Sequence, residues 1–103
     1  MILTISRTKT ITPKALGNNK AKEPSTVTFR IPTSEETEKF LAEKTPDNKM
    51  FTQFVESMTF TDEAGEPFKP ADFPKLPGVY ALVSEVANEI VKAGMLGTET
   101  KNG

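Results

Sequence analysis

Pro77 to Leu96 reads PGVYALVSEVANEIVKAGML, the one stretch long and apolar enough to serve as the spine of a core. At about 100° per residue, Val79, Leu82, Val83, Val86, Ile90 and Ala93 fall on one face, with Ser84, Glu85, Asn88, Glu89 and Lys92 opposite. That spacing predicts an amphipathic helix. Tyr80, Ala87 and Val91 widen the apolar arc to nearly half the circumference, more than one neighbouring element covers, so this flank calls for a second layer or for a partner. Pro77 suits the first helical turn, and Gly94 and Gly97 offer places to stop.

Upstream of this helix the pattern changes period. Residues 2 to 12, ILTISRTKTIT, alternate with Leu3, Ile5, Arg7, Lys9 and Ile11 on one side, which predicts an edge strand whose charged middle discourages sheet growth. Thr26 to Ile31, TVTFRI, alternates more cleanly, with Val27, Phe29 and Ile31 inward, and pairs antiparallel with the first strand. Between them, residues 13 to 25 hold two Pro, a Gly, an Asn pair and three Lys, the composition of a mobile basic loop or contact arm.

Pro32 ends the second strand, and Thr33-Ser34-Glu35-Glu36 forms a capping box that starts a helix with Phe40 and Leu41 toward the core. Glu35, Glu36 and Glu38 suggest a metal or acid/base cluster, but their place in the positive first turn favours helix-terminus electrostatics. Lys44 ends this helix, and Thr45 and Pro46 read as cap and first residue of the next one, whose stripe is Met50, Phe51, Phe54, Val55 and Met58. That stripe serves as core or as an adaptable groove. Residues 59 to 76 read as a turn-rich loop with Phe60, Phe68 and Phe73 as anchors and a short helical turn near Pro70 to Phe73. The acidic turn from Asp62 lacks calcium-loop spacing, because Ala64 and Phe73 stand where oxygen ligands are required.

The expected fold is α+β in one domain: a two-stranded hairpin over 1–31, a body of three main helices over 32–97, and a frayed tail over 98–103. The chain has 103 residues, no Cys and no His, which removes the commonest nucleophile, general base and metal ligands. No catalytic, metal or cofactor site is therefore expected. No apolar run reaches the ~18 residues of a membrane span and none resembles a signal peptide, so the expectation is a protein of the cytoplasm. Residues 1–30 carry six cations against Glu23 alone, while the rest is acidic. With no aromatic before Phe29, a nucleic-acid arm is the weaker reading of that leader, against a solvated tail or a lure for an acidic protein surface.

From about Phe51 to Gly94 the order of features resembles that of the phage tail assembly chaperones. An apolar helix is followed by T-D-E-A-G-E-P-F at Thr61–Phe68, then A-D-F-P-K-L at Ala71–Leu76, then the amphipathic helix. The resemblance covers a little under half the chain, and the N-terminal strands are not part of it. It implies a non-catalytic protein of the host cytoplasm that binds the tape measure protein and helps recruit tail tube subunits, the major tail protein. The partner surface expected for such a task is Tyr80, Ala87 and Val91 with Met95 and Leu96, rimmed by Glu89 and Lys92. The alternatives are a small acidic inhibitor or accessory protein and a structural neck or tail-completion subunit.

Overall fold

The computed structural model describes residues 2, 3 and 5–96; the tail expected to fray, 98–103, lies outside the described residues. Three strands, β1 (Thr8–Ile11), β2 (Val27–Arg30) and β3 (Val55–Met58), form an antiparallel sheet in the order β1-β2-β3. Helices α1 (Ser34–Glu43) and α2 (Asp47–Phe54) lie between β2 and β3 in the chain, and α3 (Tyr80–Leu96) closes it. The fold is α+β, as expected. No described helix is long and apolar enough to cross a membrane.

The hairpin gains a third strand that the sequence pattern concealed. Phe29 faces Val55 and Thr28 faces Ser57, so Glu56 is an extra residue on β3, a bulge. The bulge places Val55 and Met58 three residues apart yet both buried, and a spacing of three is also what a helical stripe requires. Hence the stripe expected as one helix from Met50 to Met58 is α2 up to Phe54 and a strand beyond it. The first strand is shorter than expected. Pairing runs from Thr8 to Ile11, extended by Arg7 C=O accepting from Ile31 N–H at 2.9 Å, while Ile2, Leu3 and Ile5 stand exposed ahead of it.

One core joins sheet and helices, with the inward face of β2 packed into what the sequence suggested as a small helical core. Val27 and Phe29 from β2 are fully buried in the same cluster as Met50, Phe51 and Phe54 from α2 and Leu82, Val86 and Ile90 from α3. Phe73 anchors the long loop: its ring stacks on Phe51 at 5.6 Å between centroids and meets Phe68 edge-on at 5.4 Å. A 3-10 turn at Phe73–Lys75 delivers it, close to the expected helical turn. The acidic turn closes on itself, because the Asp62 carboxylate accepts the N–H groups of Ala64 (2.8 Å) and Glu66 (3.0 Å).

Boundaries shift for local reasons. The capping box forms as expected, with Glu36 N–H donating to Thr33 Oγ1 at 3.1 Å and Thr33 N–H to the Glu36 carboxylate at 2.9 Å. Lys44 takes the left-handed position that ends α1, at φ 53°, and Pro46, not Thr45, stands at the N-cap of α2. Leu41, expected in the core, is 47% exposed, because Phe40 and Thr37 occupy the inward face of α1. Pro77 and Gly78 form a turn ahead of α3 instead of its first residues.

Gly94 does not stop α3, which continues to Leu96. A Cβ at Gly94 would stand 2.5 Å from Thr37 Oγ1 and 3.3 Å from Pro32 Cβ and Cγ, so its lack of a side chain lets α3 approach α1. Thr37 cannot yield easily, since it is buried and its hydroxyl donates to Thr33 C=O at 2.9 Å. Alanine at position 94 gains up to about 1 kcal/mol of helix propensity but meets an overpacking cost of about 1–3 kcal/mol. Gly94→Ala is therefore expected to lower stability by up to about 2 kcal/mol in urea unfolding, and Thr37→Ala in the same chain to recover part of the loss. Equal losses in the presence and absence of Thr37 would show that this approach is not the constraint.

Candidate partner-binding surface

The chain's surface chemistry follows from which apolar side chains the core leaves over. α3 packs against α2, α1, β2 and the 3-10 turn at Ala15–Lys20, so it is covered on more than one side. That cover reaches the flank proposed for a partner. Ala87 is 1% exposed and Val91 is half-buried against the core, and both leave the expected surface set as a consequence. Tyr80, Met95 and Leu96 remain outside, at 75%, 57% and 78% exposure.

These three do not form one patch. Sixteen residues of helix separate Tyr80 from Leu96, a rise of about 24 Å at 1.5 Å per residue. The rim charges also turn out to be occupied. Glu89 lies 3.6 Å from Lys92 Nζ and 3.9 Å from Lys9 Nζ, which ties the middle of α3 to β1.

A second set gathers around Pro32. A groove of about 490 Å³ is lined on its apolar side by Ile5, Ile31 and Pro32 and on its polar side by Arg7, Arg30 and Glu56. Gly94 packs on Pro32, so Met95 and Leu96 leave α3 at this same end of the molecule. Ile5, Ile31 and Pro32 were not part of the expected site. The signal is present in the alternation of Leu3, Ile5, Arg7, Lys9 and Ile11, which equally describes an edge strand. A cleft of about 360 Å³ between α1 and α2 mixes Lys39 and Lys49 with Glu36 and Glu43, and so favours neither sign of ligand.

The groove's polar wall is fixed by Arg30. Its guanidinium makes a two-pronged pair with Glu36, at 2.7 Å (Nη1 to Oε1) and 3.0 Å (Nη2 to Oε2), and lies 4.7 Å from the centre of the Phe54 ring. The hydrogen bonds from Arg30, then that from Thr33, hold the Glu36 carboxyl down at about 2, and the same pairing raises Arg30. Glu36 of the acid cluster at the start of α1 thus serves as a cap and an ion pair. Among the described residues, no three His, Cys, Asp or Glu are placed to hold a metal ion.

Because the folded carboxyl titrates below its unfolded value, the pair's contribution is complete above about pH 4.3 and is lost as pH falls toward 2. With the pair about one-third exposed, that contribution is about 1 kcal/mol. Glu36→Gln is expected to lower the melting temperature at pH 6 and to match the parent near pH 2. A gap that persists unchanged at pH 2 would assign the loss to something other than charge. Comparison with protein-family models, with curated proteins and with solved structures gives no match.

Proposed function

We propose that this protein is a non-catalytic phage tail assembly chaperone, which holds the tape measure protein in a soluble form and helps bring tail tube subunits to it. One observation supports the reading most: apolar side chains left outside the core toward the end of α3 that meets Pro32, with Ile5 in the groove there and Met95 and Leu96 exposed on the last turn of the helix, within a chain that has neither His nor Cys. Such a surface suits transient capture of amphipathic helices, since it is apolar at the centre and charged at Arg7 and Glu56. The order of features from Phe51 to Gly94 supplies the class of partner.

The binding surface in this reading is centred on Ile5, Ile31, Met95 and Leu96, with Tyr80 a separate contact. Co-expression with a tape measure protein and a tail tube protein is the direct test. The parent chain is expected to keep a tape measure fragment soluble and to co-purify with it. Ile5→Glu and Leu96→Glu are each expected to reduce that recovery on the order of tenfold, with the melting temperature of the free protein changing little. Recovery undiminished by both variants would reject this surface. Loss of binding with rising salt, by an order of magnitude or more between 50 mM and 500 mM, would favour the acidic inhibitor instead.

A further inference from the structure

Residues 13–25, read from composition as a mobile arm, have a defined structure with two layers of hydrogen bonds. The inner layer closes the segment on itself. Asn18, 8% exposed, donates through its Nδ2 to Pro13 C=O (2.7 Å) and Ser25 C=O (2.9 Å), and its Oδ1 accepts Ser25 N–H (2.8 Å). Both N–H groups and the oxygen of one buried amide are spent on joining the two ends of the segment. Leu16 is held inside this closure at φ 59° and Gly17 at φ 75°, left-handed positions that an open chain does not hold two in succession.

The outer layer ties the closed segment to α3 through one side chain. The Glu85 carboxylate accepts Lys14 N–H at 2.8 Å and 3.1 Å and Ala15 N–H at 2.8 Å. Pro13 is fully buried and Ala15 packs on the core, so the segment also covers apolar surface. Glu85 lines in addition a shallow groove of about 420 Å³ on the outer face of α3, together with Tyr80, Ala81 and Asn88, and every residue that lines it belongs to α3. The same carboxylate therefore belongs both to the tie and to that groove.

We propose that residues 13–25 are a latched strap, which opens away from α3 as one preformed unit when the Glu85 carboxylate lets go. Opening turns the covered faces of Pro13 and Ala15 outward, while Asn18 keeps the strap's own shape. The inference stands independently of the tail-assembly reading.

Amide hydrogen exchange of the full chain, read residue by residue by NMR, separates the two layers. In Glu85→Ala, the Lys14 and Ala15 amides are expected to exchange on the order of tenfold faster, with Ser25 and the mid-helix Ile90 unchanged. In Asn18→Ala, Ser25 is expected to speed up together with Lys14 and Ala15. Should Glu85→Ala unfold the protein, seen as fast exchange at Ile90, Glu85→Gln serves in its place, with the same pattern at smaller size because its amide oxygen still accepts. Ser25 accelerating in step with Ala15 when only Glu85 is changed would overturn the proposal, since the strap would then unravel and not open as a unit. Unchanged exchange at Lys14 and Ala15 would overturn it as well, since Glu85 would then not be the latch.

Discussion

The structure depends on covering an apolar arc of α3 that is too wide for any single neighbour. Six residues of that helix, Leu82, Val83, Val86, Ala87, Ile90 and Ala93, are buried. A pair of helices buries a narrower stripe, so the chain must bring a second surface to bear. α2 supplies one side, and α1 and β2 supply others. The sheet is thereby drawn into the core, with Val27 and Phe29 at zero exposure. Even the backbone answers to this requirement: at Gly94 a missing side chain lets α1 close on α3, and on β3 the bulge at Glu56 lets both Val55 and Met58 turn inward.

Polar groups then fix what the core leaves approximate. Arg30 and Glu36 join the end of β2 to the start of α1, with the capping box built on the same carboxylate. Lys9 and Glu89 connect β1 to α3, and Glu85 connects the strap to α3. Each is a link between an early and a late part of the chain or across a turn, and each lies at the surface, where it steers geometry more than it stabilises. Of the apolar side chains that remain unburied, Tyr80 stands at one end of α3 and Met95 and Leu96 at the other, while Leu16 and Leu41 are exposed elsewhere on the surface.

Much of this was legible in the residues, for physical reasons that differ from case to case. The face of α3 followed from spacing, because a long helix averages over local irregularity. Val27 and Phe29 followed from strict alternation, and the Thr33 cap from a four-residue code whose hydrogen bonds are local. The third strand was not legible, since a bulged strand and a helical stripe place Val55 and Met58 at the same interval. Ala87 and Val91 were recognised as surplus to one neighbour, yet sequence spacing does not say whether a second layer or a partner covers them. The order in residues 13–25 was hidden because it comes from one asparagine folding back on its own loop, and composition does not record that. Ile5 was misplaced because alternation continues past the last paired residue of β1.

That sheet and helices form a single cooperative core is the claim on which the surface argument rests, because it decides which apolar residues are left over. Urea unfolding of Phe29→Ala, followed by the circular dichroism of the helices, tests it most directly. Phe29 lies in β2 and belongs to no helix, and a cavity of this kind costs about 3–5 kcal/mol. The predicted result is one transition in which the entire helical signal moves to lower urea. A helical transition that keeps the parent's midpoint, with the sheet lost separately, would contradict it.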